Sequence, residues 1–190
     1  RIIIKTLHEH GQLNISPVAA TFEVHYNAGF ERDWEACVNY ITERMVKVFE
    51  FLNLLTNNSY EYIGIVSNVL YDDVRDKGAK KLSETLLNSK KISDIYDVNI
   101  KYTFVESDCI FVNILLQNAR LFRKGIVPDR AGALNLCNQI AESIGAIIDI
   151  NDRYGYNSNP EYKSDSSKLQ LLISSMSNII NNKLHTLIER

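Results

Sequence analysis

Between Val18 and Leu55 the spacing of apolar residues changes from two to three-or-four, which restricts the chain to folds where a strand leads into a long surface helix. Val18, Ala20, Phe22, Val24 and Tyr26 share one face of an extended segment, and Ala19, Thr21, Glu23 and His25 share the other. Asn27-Ala28-Gly29 breaks that alternation. From Glu31 to Thr56, Trp34, Val38, Ile41, Met45, Val48, Leu52 and Leu55 recur as the stripe of a helix lying on a core. Such a helix would run roughly 37 Å, long enough to cross a whole sheet.

The later chain repeats both periods. Tyr60–Tyr71 has apolar residues on both faces, as in a central strand covered at least in part on both sides. Asp73 is placed to cap a helix from Val74 to Asn88 with Leu82 and Leu86 inward. Val98, Ile100, Tyr102 and Phe104 alternate with polar residues, Glu106-Ser107-Asp108 turns the chain, and Cys109–Gln117 returns, the pattern of a hairpin. The segment 133–150 fits either period; two strands turning near Ala141–Ser143 are preferred over a helix. Asn151–Lys163, with Gly155 and Pro160, reads as a surface loop. Asp165–Ile188 reads as a second long helix, with Ser164 or Asp165 at its N-cap and a stripe running from Leu169 to Leu187. Strands come in pairs between helices. That order implies an α+β fold, a mainly antiparallel sheet covered by two long amphipathic helices, in a single domain over residues 1–190.

Composition narrows the function classes. A formal net charge of −2 with no run of like charges argues against a nucleic-acid or membrane-surface binder. No apolar run is long enough to span a membrane and the start lacks a signal peptide, so a cytoplasmic protein is expected. Three widely spaced cysteines, Cys37, Cys109 and Cys137, read as reduced, buried small hydrophobes. Arg1-Ile2-Ile3-Ile4-Lys5 opens directly in a strand pattern without an initiator Met, as expected for the C-terminal part of a longer protein. Nineteen asparagines, with abundant Ile and Lys, suggest an AT-rich bacterial genome.

Motifs for chemistry are sparse. No GxSxG elbow, GxGxxG turn or GxxxxGK[ST] loop occurs, and eight glycines do not form a Gly-rich loop. His8 and His10 would share one strand face, but zinc needs further ligands that no known spacing supplies. Lys101 beside Tyr102 and Arg153 beside Tyr154 could stack bases, though ordinary sheet aromatics explain them better. Asp149-Ile150-Asn151-Asp152-Arg153-Tyr154-Gly155 resembles a stretch of diguanylate cyclases, but the downstream Gly-Gly-Asp/Glu-Glu-Phe signature is missing. Asp72 and Asp73 follow an apolar strand, as the metal-holding acids of palm-type polymerases do, and Asp149 or Asp152 would have to complete such a site.

One family resemblance rests on Thr21-Phe22-Glu23-Val24-His25-Tyr26, Tyr62-Ile63-Gly64-Ile65-Val66-Ser67-Asn68 and Ile147-Ile148-Asp149-Ile150-Asn151, before a terminal helix containing Leu184-His185. In that order they resemble the latter part of a bacterial conserved-hypothetical family whose members carry Arg-Ile-Gly-x-Arg-Tyr-x-Asn and Leu-Asp-Ile-Asp strands. Here Tyr62 and Val66 replace the two arginines, Ser67 the tyrosine and Asn151 the last aspartate. The family has no assigned activity, so the resemblance implies a fold and leaves function open.

These readings lead to a non-enzymatic binding or protein-interaction module, with no cofactor and with a protein partner or second copy as its ligand. Tyr40, Phe49 and Phe51, off the main helix stripe, are candidates for that contact, with packing against a second layer as the competing explanation. The alternative is a metal-dependent nucleotidyl- or phosphoryl-transfer enzyme using Asp72, Asp73 and Asp149.

Overall fold

A computed structural model describes residues 1–27, 29–30, 32–71, 78–87, 95–107, 109–123, 125–130 and 132–188. The chain divides into two units, Arg1–Tyr60 and Glu61–Arg190.

In the first unit, β1 (Ile2–Lys5), β2 (Gly11–Ile15) and β3 (Ala20–Val24) form an antiparallel meander in that order. The turn after β1 is closed by the Thr6 amide donating to the Gly11 carbonyl at 2.8 Å, with Glu9 in the left-handed region. His8 and His10 therefore lie in a turn and not on the strand expected for them. The segment 18–26 belongs to this small sheet, separate from the later strands.

The long helix α1 (Trp34–Thr56) follows. It starts where Asp33 accepts a hydrogen bond from the Ala36 amide at 2.9 Å, and it stops where Asn57 turns left-handed. Leu13 of β2 packs with Val48 and Leu52 of α1, and Ile15, Phe22, Met45 and Tyr60 flank them. The expected stripe ends at Leu52, because Leu55 is exposed. Of the three off-stripe aromatics, Phe49 is buried against Tyr60, and Tyr40 joins a cluster with Tyr26, Phe30 and His10. Packing within the unit accounts for both. Cys37 is buried, its thiol donating to the Phe30 carbonyl, but Cys109 is half-buried and Cys137 exposed, contrary to the expectation of three buried thiols.

The second unit is a four-stranded antiparallel sheet in the order β4 (Gly64–Tyr71), β7 (Gln139–Asn151), β6 (Ile110–Phe122), β5 (Asn99–Glu106). The expected hairpin is β5–β6, although Asp108 lies outside the described residues. β4 is an edge strand, not the doubly covered central strand its sequence suggested; Val66 is 61% exposed. The ambiguous segment 133–150 forms neither two strands nor a helix. It is a short 3₁₀ turn (Leu136–Asn138) leading into one long strand. Leu121 pairs with Ala141 and Phe122 with Gln139, leaving Ile140 as the extra residue of a β-bulge. The bulge leaves Ile140 exposed to solvent, and at Glu142, where period two breaks, the side chain accepts a hydrogen bond from the Ala79 amide.

Helix α2 (Gly78–Leu86) covers β6 and β7, and α4 (Lys168–Asn178) covers β4 and β7, with α3 (Arg153–Ser158) and α5 (Leu184–Ile188) completing the unit. Gly78 is required at the start of α2. A Cβ there would stand 2.3 Å from the Ser143 carbonyl oxygen. Leu82 is buried, as expected, while 72–77, including the proposed cap Asp73, lie outside the described residues.

Among the described residues only α1 is a long α-helix. The second one expected, over 165–188, begins at Lys168 and is divided by a π turn, Ile179–Lys183, so that α4 and α5 are short. Its N-cap is Ser167 with no side-chain cap bond, whereas Asp165 accepts from the Ser167 amide one turn earlier. The loop expected after β7 contains α3.

One face of the sheet makes the core. Val112, Ile114 and Leu116 of β6 and Ile144, Ile148 and Ile150 of β7 are fully buried against Leu82, Leu172, Met176, Ile179 and Leu184. Each side chain so buried contributes roughly 1.5–3 kcal/mol.

Candidate binding face

The alternation that buries one face of the second sheet turns the other outward, and the register fixes its composition row by row. Val105, Phe111, Asn151 and Gly64 are cross-strand neighbours, then Thr103, Asn113, Asp149 and Val66. Lys101, Leu115, Ile147 and Asn68 form the third row, and Asn99, Gln117, Gly145 and Leu70 the fourth. Among the described residues no helix of the second unit buries this face. Val66 and Leu70 are 61% and 52% exposed, and Val105 is also exposed.

A hydrogen-bonded polar track crosses it. The Thr103 hydroxyl donates to Asn113 Oδ1 at 2.9 Å, Asn113 Nδ2 donates to Asp149 Oδ2 at 3.4 Å, and Asn151 Nδ2 donates to Asp149 Oδ1 at 2.9 Å. The Arg153 amide then donates to Asn151 Oδ1, joining the track to α3. Such a network holds its side chains in fixed rotamers and leaves the remaining lone pairs and N–H groups facing outward. Beside it, Gly145 leaves a dip of about 300 Å³ between Leu70, Gln117, Ala119 and Ile147. A Cβ at Gly145 would stand 3.3 Å from that of Ala119, so a side chain there would fill the dip. Aromatic side chains close one end: Phe111 meets Tyr154 edge-on at 5.0 Å, and Arg153 lies 5.4 Å from the Tyr62 ring centre.

Of the acids singled out in the sequence, Asp149 and Asp152 have different surroundings. Asp149 stands on the open face with both carboxylate oxygens engaged by amides. Asp152, one residue past β7, is fully buried. Its Oδ1 accepts from the Ile63 amide at 2.7 Å, and its Oδ2 from the Tyr162 hydroxyl at 2.8 Å and from the Ser164 hydroxyl. Those donors make it a structural clamp between the start of β4 and the segment before α4. Burial, and then the hydrogen bond to Asp152, push the Tyr162 hydroxyl well above the usual phenol range. Asp72 and Asp73 lie outside the described residues. Asp149 pairs with Val66 of β4.

Neither base-stacking pair forms one surface. Lys101 and Tyr102 point to opposite faces of β5, and Arg153 and Tyr154 are engaged with Tyr62 and Phe111. The His8 and His10 rings stack 6.2 Å apart, and His10 Nε2 is 2.8 Å from the Tyr40 hydroxyl. Among the described residues no group of three His, Cys, Asp or Glu side chains could hold a metal ion. No described helix is long and apolar enough to cross a membrane.

Glu106, on the covered face, has a different role. Its carboxylate accepts from Lys183 Nζ at 3.1 Å and from the Ser175 hydroxyl, tying β5 to α4 and the π turn. Burial pushes its pKa up, but the bonds from Ser175 and Lys183 and the lysine charge outweigh this and hold it below the usual 4.5. Sequence reading missed the polar track and the Asp152 clamp. Cys109–Gln117 is apolar on both faces, so the local pattern did not mark Asn113, and no spacing placed it beside Asp149.

Comparison with family models, with curated proteins and with solved structures finds no match to this chain.

Proposed function

We propose that the chain is a non-enzymatic interaction module whose second unit receives a protein partner on the open face of its sheet. The observation that carries this reading is the pairing of exposed aliphatic side chains, Val66 and Leu70, with the fixed polar track Thr103–Asn113–Asp149 on one flat surface. Protein interfaces combine an apolar centre with oriented polar groups in this way. Exposed apolar patches rimmed by polar residues mark interaction surfaces. Asp149 serves here as an acceptor in that track.

Site-specific photo-crosslinking in the native cell tests the reading. A benzophenone side chain at Leu70 is expected to give a discrete protein adduct, and the same group at Val127, 82% exposed and off the sheet, is expected to give none. Equal labelling at both positions, or no adduct at Leu70, would overturn it. A homodimer adduct would identify the partner as a second copy.

A further inference from the structure

A second surface lies wholly within the first unit. α1 covers the face of the small sheet that carries Leu13 and Phe22, but its cover stops short of β1, where Ile4 on the same face remains 46% exposed. The gap is a groove of about 200 Å³ whose floor is Leu13, Phe22 and Val48 and whose wall on the helix side carries Arg44, Lys47 and Phe51. Among the described residues β1 bonds to β2 alone and is an edge of its sheet. The Thr6 amide points inward to Gly11, so by antiparallel alternation the N–H and C=O groups of Ile3 and Lys5 point outward.

Three cations surround this edge. Lys5 sits at its end, paired only with Glu9 at 3.5 Å in an exposed contact. Lys47 is exposed, and Arg44 leans on the Tyr40 ring at 5.1 Å while its buried Nε has no hydrogen-bond partner. A second copy is a poor occupant. Antiparallel pairing of two β1 strands about Ile3 would set Arg1 opposite Lys5, and like charges directly opposed are destabilising.

We infer that β1 and this groove form a strand-addition site for an extended acidic segment of a partner protein, with one aliphatic side chain in the groove and carboxylates facing Lys5, Arg44 and Lys47. Main-chain bonds to Ile3 and Lys5 would supply affinity, and the groove and cations the selectivity.

An NMR titration of the isotope-labelled full chain with the peptide Gly-Glu-Glu-Leu-Glu-Glu-Gly tests this. Shifts are expected at the amides of Ile2–Lys5 and along the α1 wall. Replacing the leucine by glycine, the glutamates by lysines, or methylating the backbone nitrogens should each weaken binding. Arg44→Gln and Lys47→Gln should each reduce affinity ~2- to 5-fold; the exposed Lys47 keeps the test valid should Arg44→Gln disturb the Tyr40 cluster. The inference is overturned if the lysine peptide or the N-methylated peptide binds as well as the parent. It is also overturned if none binds, or if light scattering shows a dimer through β1 that the peptide does not displace.

Discussion

The two units are both antiparallel sheets with a helix partner, yet they distribute burial differently. In the second unit, eight side chains of the two central strands are fully buried under a helical layer. In the first, Leu13, Val48 and Leu52 retain slight exposure, and β1 leaves Ile2, Ile3 and Ile4 about half exposed. A sheet with two central strands can commit one face entirely to a core and still keep the other for contact. A three-stranded sheet under a single helix cannot cover its own edge. Open surface is therefore a whole face in one unit and an edge in the other.

The comparison can be broken most severely at Asp152. Asp152→Ala would leave the Ile63 amide and the Tyr162 and Ser164 hydroxyls without their buried acceptor, and is expected to destabilise the second unit by about 3–5 kcal/mol in urea unfolding. Ile148→Ala should cost about 3–4 kcal/mol, and Leu13→Ala, in the thinner core, about 2 kcal/mol. Equal losses at the two sites would erase the distinction between the cores. Gly78→Ala should cost about 1–3 kcal/mol, because its Cβ would force α2 away from Ser143.

A smaller effect is expected at Glu106. Its folded pKa is depressed, so the unfolded chain binds more protons between that value and 4.5. The stabilisation is full above 4.5 and is lost as pH falls through the folded value. Glu106→Gln should flatten the acid limb of a stability–pH curve, and an unchanged limb would show that the Lys183–Ser175 contacts contribute nothing. At the far end, Val127→Thr should alter stability by less than about 0.5 kcal/mol.

Strongly periodic elements were legible in the sequence. The helix from Trp34 and the hairpin of β5 and β6 were found because each carries a long unbroken pattern. The features that failed were those where a tertiary device interrupts the pattern. The polar Glu142 suggested a turn where β7 runs straight on beside β6, and the π turn at Ile179–Lys183 divided a helix whose apolar stripe runs through it. β2 was invisible because Gly11-Gln12-Leu13-Asn14-Ile15 is short and half polar, and only pairing with β1 and β3 makes it a strand. β4 looked central because its outward Val66 and Leu70 are as apolar as core residues. The same residues that misled the strand assignment now define the open face. The site was legible only in part: Asp149 was singled out, but as a metal ligand, because its neighbours Asn113 and Thr103 are set by register and not by local spacing.

Native-state hydrogen exchange tests most directly the claim that the two units are stabilised differently. Amides of β6 and β7 are expected to exchange only through global unfolding, and those of β2 and β3 through a separate opening of lower free energy. Exchange of β2 as slow as that of β6, with the same denaturant dependence, would contradict it.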